Sequence, residues 1–224
     1  MGVTDICRLT ELSRSQVHRI LSSLESIGLL RQDESTRKYS LGFRVLELAS
    51  ILQNSISYKD LAIGFMSDLR DETGETVAFH VFDGRDRACL FQVESRHQLR
   101  RSYTDIGKKH PLHRGAPGKV ILAYLPENKK EQLISEFDLS SKEKIQLKQN
   151  LEEILITGFA VSAGEIMKDI VSIAAPLHDS TKENIIGAIN ITGPKSRIKK
   201  KEIDDYSRLL LRTAQKISQK LLSF

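Results

Sequence analysis

The chain has 224 residues, 40% of them hydrophobic and 28% charged, a balance that excludes a fibre or an unfolded tail and suits two unequal domains. No apolar run approaches the roughly 20 residues a bilayer-spanning helix needs, and the first residues lack the apolar stretch of a secretory leader, so a cytoplasmic protein with no membrane partner is expected. The net charge of +5 tolerates a polyanionic partner without demanding one; Cys7 and Cys89, without metal-ligand spacing, read as two buried thiols rather than a disulfide or a zinc site.

Val3, Ile6 and Leu9 recur every three residues and predict a short first helix. Ser13-Arg14-Ser15-Gln16 has the form of a capping box, so a second helix should open at Ser13 and run to Ser26. Its Val17, Ile20, Leu21, Leu24 and Ile27 form an inward stripe, while Ser15, His18, Arg19 and Ser22 fall on the opposite face. Gly28 ends it, and two short strands, Leu29–Gln32 and Lys38–Leu41, flank a polar loop of hairpin length. The sum is a winged helix-turn-helix over residues 1–41. Residues 42–58 carry a further helical pattern in Val45, Leu46, Ala49, Leu52 and Ile56, read as a linker helix and a candidate contact between subunits.

Residues 59–224 make the second domain. A helix over Asp60–Thr73, capped by Gly74, precedes strands Thr76–Phe82 and Arg87–Val93 joined through the tight-turn dipeptide Asp83-Gly84. A helix after Gly118, helical patterns across Lys129–Phe137 and Lys142–Thr157, strands at Phe159–Ser162, Val171–Leu177 and Ile185–Thr192, and a terminal helix from Lys201 follow. Strands and helices mix without βαβ regularity, which gives an α+β class with an antiparallel sheet.

An ordered set of short motifs resembles the IclR-type transcriptional regulators from about Val3 to Leu221. Ser15-Gln16-Val17-His18-Arg19-Ile20-Leu21 is similar to the family's recognition helix, and Lys38-Tyr39-Ser40-Leu41-Gly42 to the segment leaving its wing. Thr73-Gly74-Glu75-Thr76-Val77, Pro111-Leu112-His113 with Gly115-Ala116-Pro117-Gly118-Lys119, Gly158-Phe159-Ala160-Val161-Ser162, Ile173-Ala174-Ala175-Pro176 and Gly193-Pro194 follow in the family's order. The resemblance implies a GAF-like effector-binding domain after the DNA-binding head and linker, a homodimer or a tetramer of two dimers, double-stranded operator DNA as one partner and a small carboxylic acid as the other. In two places the chain departs from the pattern. Only Met1-Gly2 precede the helix at Val3 where the family has a further helix, so the stripe Val17, Ile20, Leu24 is expected to lack cover; a truncated start or an impaired head are both open. Thr10-Glu11-Leu12 stands where a glycine is usual, so Glu11 is expected in a left-handed backbone conformation.

Arg14, Ser15, Gln16, His18 and Arg19 supply donors for guanine edges and phosphates, and Arg37 and Lys38 for phosphates from the wing; an ordinary solvated surface would carry the same residues. Gly115-Ala116-Pro117-Gly118-Lys119 is no Walker loop, because His113 and Val120 stand where glycine and a hydroxyl residue are required. Small residues there let the amides of a helix N-terminus approach a carboxylate. The resemblance places effector contacts at Gly115 and Ala116 and carries the pocket lining onto Ser162, Ile170, Ser172, Asn190 and Thr192, with simple strand-end packing as the alternative. The cations from Arg96 to Arg114 either focus an anion or coat a loop, and those around Lys195–Lys201 read as plain surface. No cofactor or metal is expected. A ligand-responsive DNA-binding repressor is the leading reading; an effector sensor with an impaired head stands second. An enzyme acting on a small acid stands last, since no nucleophile elbow or metal-binding signature is present.

Overall fold

The computed structural model describes residues 1–48, 58–102, 106–179 and 184–221. They fall into two compact units, Met1–Ser57 and Tyr58–Phe224.

The first unit packs helices α1 (Val3–Thr10) and α2 (Arg14–Ser26) against a hairpin of β1 (Leu30–Gln32) and β2 (Tyr39–Leu41). Glu11 turns the chain between the helices in the left-handed conformation expected of it (φ 57°, ψ 15°), at a cost of order 1 kcal/mol. The capping box forms: the Ser13 amide donates to Gln16 Oε1 (3.0 Å) and the Gln16 amide to Ser13 Oγ (3.4 Å). Val17, Leu21 and Tyr39 are the buried centre, with Val3, Ile6, Cys7 and Leu30 packed around them. Two expectations need correction. Leu9 lies off the stripe, 71% exposed, and Cys7 is only half-buried, packed at the edge of the small cluster around Val17, Leu21 and Tyr39. Of the stripe expected to lack cover, Ile20 is 45% exposed but Val17 is 1% exposed and Leu24 half-buried, so the expectation holds at Ile20 and fails at Val17; Ile27, expected to face inward, is 58% exposed.

At the wing's tip Asp33 Oδ1 accepts from the amides of Ser35 (3.1 Å) and Thr36 (2.7 Å) and from both their hydroxyls (2.7 and 2.8 Å). These donors hold the carboxyl well below the usual carboxylate range. Arg37 leaves the turn at φ 55°. Residues 44–48 are helical and are numbered α3; Ala49, Leu52 and Ile56 of the linker pattern lie outside the described residues.

In the second unit α4 (Tyr58–Thr73) precedes β3 (Thr76–Phe82), β4 (Asp86–Val93) and a three-residue β5 (Lys109–Pro111). Helices α5 (Ala116–Tyr124), α6 (Glu127–Glu136) and α7 (Ser141–Thr157) follow, then β6 (Ala160–Ala163), β7 (Ile170–His178), β8 (Ile185–Pro194) and α8 (Lys200–Leu221). The six strands form one antiparallel sheet in the order β5-β4-β3-β8-β7-β6, two meanders joined where β3 pairs with β8. The two-residue strand period sorts their side chains. Val77, Phe79, Ile173, Ala175, Ile189 and Ile191 pack against α4 and α8. On the other face Ala160, Ala174 and Ala188 lie under α5 and α7; small residues there let α5 come close to the sheet. Helix α5 begins at Ala116, earlier than its predicted start after Gly118, and it lies so near the turn before it that a Cβ at Gly118 would sit 2.5 Å from the Leu112 carbonyl oxygen.

The basic cluster before α8 is not plain surface throughout. Arg197 donates from Nε to Glu75 Oε1 (2.5 Å) and from Nη2 to Glu75 Oε2 (2.8 Å), and also to the Leu99 carbonyl (2.9 Å). The Glu75 side chain is 2% exposed, so the arginine is a structural tie that position in a charge run could not reveal.

Candidate functional site

Each unit carries a surface with chemistry. On the first, Arg14, Ser15, Gln16, His18 and Arg19 are all exposed on α2, and Arg37 and Lys38 are exposed on the wing. None is turned into the protein. Gln16 Oε1 also accepts from the Ser13 hydroxyl (2.6 Å), which leaves its NH₂ as the group it can offer outward. His18 Nδ1 lies 3.4 Å from Ser22 Oγ, one turn on. The wing adds Arg31, exposed on β1 and braced by Ser40 Oγ at 3.1 Å, a cation that the motif reading did not single out.

On the second unit the N-terminus of α5 ends over the sheet at a cavity. Ser162, Ser172 and Thr192 stand directly opposite one another on β6, β7 and β8 and make a row of hydroxyls on its floor. Gly115 caps α5 at φ 78°, ψ 151°, a backbone region that essentially only glycine occupies. Gly115, Ser162, Ile170, Ser172 and Thr192 all line the cavity. The Ala116 amide is turned to Ser162 Oγ (3.1 Å), and Asn190 lies behind the floor, donating from Nδ2 to Ser172 Oγ (2.8 Å).

The charged and titratable residues among the rest of the lining are Arg87, Arg101, His110 and Glu165. Arg87 is almost completely buried, and its Nη2 would lie 3.2 Å from a Cβ at Gly115. Its Nη1 lies 3.2 Å from Nδ1 of the fully buried His80, whose Nε2 lies 3.1 Å from Asn190 Oδ1. A guanidinium only donates, so His80 must accept at Nδ1 and carry its proton at Nε2. The donors then run one way, from Arg87 through His80 and Asn190 to Ser172. Among the cations from Arg96 to Arg114, Arg96 pairs with Asp71, Arg100 with Glu94 and Lys109 with Asp83, while Arg101 reaches the cavity wall.

Burial, with the Arg87 charge beside it, holds the His80 pKa well below 6.5. The unfolded chain therefore takes up a proton below about pH 6.5 that the native imidazole refuses, so this residue's share of stability is complete above that pH and drains away as the pH falls. Urea unfolding of the wild-type chain is expected to lose up to about 1.4 kcal/mol per pH unit more than the His80→Gln variant below pH 6.5; parallel profiles would contradict a neutral His80.

Residues 1–34 match the sequence profile of the IclR helix-turn-helix domain, and residues 53–219 match that of the bacterial transcriptional regulator IclR C-terminal domain. The chain belongs to the IclR family. Among its relatives, the HTH-type transcriptional regulator KipR of Bacillus subtilis is 28% identical over 227 residues, covering 99% of this chain and 90% of KipR. The transcriptional repressor IclR of Escherichia coli is 25% identical, covering 97% of this chain and 82% of the repressor. The crystal structure of an IclR transcriptional regulator from Silicibacter sp. TM1040 superposes with a TM-score of 0.87 at 22% identity, over 99% of this chain and 89% of that one, and shows the shared fold. This IclR-family chain is thus a DNA-binding transcriptional regulator and not an enzyme. Among the described residues no group of three His, Cys, Asp or Glu side chains could hold a metal ion, and no helix is long and apolar enough to cross a membrane. Burial pushes the Cys89 thiol up to about 12, a packed and unreactive group.

Sequence reasoning about this IclR-family pocket missed Arg87 and Glu165. Alternation along β4 was the available signal for the first: an arginine two residues before Cys89 in an otherwise inward-facing series is a charge on the inner face. Nothing local marked Glu165.

Proposed function

We propose that this chain is a repressor whose hold on operator DNA is set by a small organic acid seated between the N-terminus of α5 and the hydroxyl row of the sheet. The observation that carries the reading is the lining: two arginines, Arg87 and Arg101, and the Gly115 amide converge over Ser162, Ser172 and Thr192. Helix-terminal amides and guanidinium groups favour an anion, and the hydroxyls fix its orientation. Ser172 Oγ, which accepts from Asn190, keeps its own proton for an acceptor in the cavity. The name of the E. coli relative supports repression. A homodimer, or a tetramer of two dimers, is the proposed assembly, because one short helix per subunit gains specificity when two half-sites about 34 Å apart are read together. The reading requires no metal or cofactor.

The test is fluorescence anisotropy of the chain on a duplex from its own upstream region, with aliphatic, sugar-derived and aromatic acids added in turn. At least one acid is expected to shift the DNA affinity by about 5- to 150-fold, the usual range of coupling between sites. Gly115→Ala forces a Cβ to 3.2 Å from both Arg87 Nη2 and Ile166 Cγ1 and displaces the amide donor. Loss of one charge-assisted hydrogen bond predicts roughly 10- to 150-fold weaker response to that acid with unliganded DNA affinity unchanged. A Gly115→Ala chain that responds like the wild type would remove α5 from the effector site.

A further inference from the structure

The cavity that this proposed function needs is almost full. Its volume is ≈ 40 Å³, far below the roughly 300–1,000 Å³ of small-molecule sites. What fills it belongs to the chain. Glu165, in the turn between β6 and β7, accepts at Oε2 from the Gly115 amide (3.0 Å) and at Oε1 from Lys119 Nζ (2.7 Å). Its neighbours Ile166 and Met167 also line the cavity, although they are 42% and 46% exposed. One carboxylate thus bridges the N-cap amide of a helix and an ammonium one turn along that helix, the pose a free organic acid would adopt there.

We infer that Glu165 is a tethered stand-in for the effector's carboxylate, so that an acid enters only by taking over Gly115 and Lys119 while the turn over residues 164–169 lifts off the cavity. The inference rests on the acid-binding reading above and adds its moving part. The turn is closed at its base, where the Gly164 amide donates to the Ile170 carbonyl (2.9 Å), and latched at Glu165, whose carbonyl accepts from Arg114 Nη2 (2.7 Å). Gly164 sits at φ 81°, where a side chain would be strained, and supplies a pivot. Exchange of one carboxylate for another keeps the Lys119 side chain, only 12% exposed, in an ion pair throughout. A neutral or cationic molecule would leave the Lys119 ammonium without a counter-charge, which selects for anions. The tether also lowers apparent affinity, since only the fraction of molecules with the turn lifted can bind.

The experiment follows the Gly115 amide resonance in ¹⁵N-labelled full-length wild type, Glu165→Ala and Glu165→Gln during titration with sodium acetate, with sodium chloride at equal ionic strength as the control. Vacating the seat is expected to tighten acetate binding at Gly115 by about tenfold or more in Glu165→Ala, as removing a tethered competitor does. Glu165→Gln, which keeps the shape but loses the ion pair, should fall between and serves if the alanine variant fails to fold. Equal acetate affinity at Gly115 in all three chains would overturn the gate and leave the acid site standing. No acetate-dependent shift at Gly115 in any of them would overturn both.

Discussion

Replacing Arg197 with alanine is expected to lower the unfolding free energy of the second unit by up to about 3–5 kcal/mol, the loss that follows when a buried charge, here Glu75, is deprived of its half-buried partner. The larger penalty falls on what stays behind. Glu75 keeps a charge with its side chain 2% exposed, and Gly193 packs so close that a Cβ there would collide with the carboxylate, so neither water nor another side chain has easy access. The fork of Arg197 also reaches the Leu99 carbonyl, so one side chain ties the start of β3, the long connection after β4 and the entry to α8. Urea denaturation followed through signals from the second unit measures the loss, and at roughly 2–4 °C per kcal/mol the melting temperature should fall by about 6–20 °C. Removing both partners in Glu75→Gln/Arg197→Ala should cost less than the arginine deletion alone, because the stranded charge goes too. A loss under about 1 kcal/mol for Arg197→Ala would show that the pair is ordinary surface electrostatics.

The second large effect concerns DNA. If Arg19 reaches a base edge from the middle of α2, its deletion is worth about 1–3 kcal/mol per half-site, and a dimer loses it twice: roughly 30-fold to 10⁴-fold in operator affinity. If Arg14, at the first position of the helix, meets a phosphate, Arg14→Ala should weaken all sequences alike and flatten the dependence of log affinity on log salt by about one for each phosphate left unneutralised. Anisotropy with specific and scrambled duplexes over a salt series separates the two. Unchanged affinity and slope in both variants would mean that the exposed cationic face of α2 does not meet the duplex.

The parts of this chain that were legible in sequence are those whose cause is local. Ser13 and Gln16 sit three apart and cap each other whatever the rest of the chain does, and Glu11 bends left-handed because the turn demands it. Gly115 and Gly118 announce a tight helix entrance for two different reasons, a backbone angle and a close approach to Leu112. The pairing of β3 with β8 joins residues more than a hundred positions apart, such as Ala78 and Asn190, and no period in either strand encodes that register. The pocket divides in the same way. Its hydroxyl floor follows from alternation along β6, β7 and β8 once the strands are aligned, whereas Glu165 and Arg87 matter only because the fold brings a turn and a distant strand to one helix end. The charge run around Lys195 misled because exposed lysines and one half-buried arginine paired to a buried carboxylate look alike in a composition count.

The four hydrogen bonds gathered by Asp33 bear on how the wing meets its partner. A hairpin tip that is already knotted loses little freedom on docking, so less of the binding energy is spent on immobilising it. The same bonds hold the Asp33 carboxylate ionised, so the tip carries a fixed negative charge close to Arg37 and Lys38. The tip of the wing is therefore ordered by its own bonds before any partner arrives.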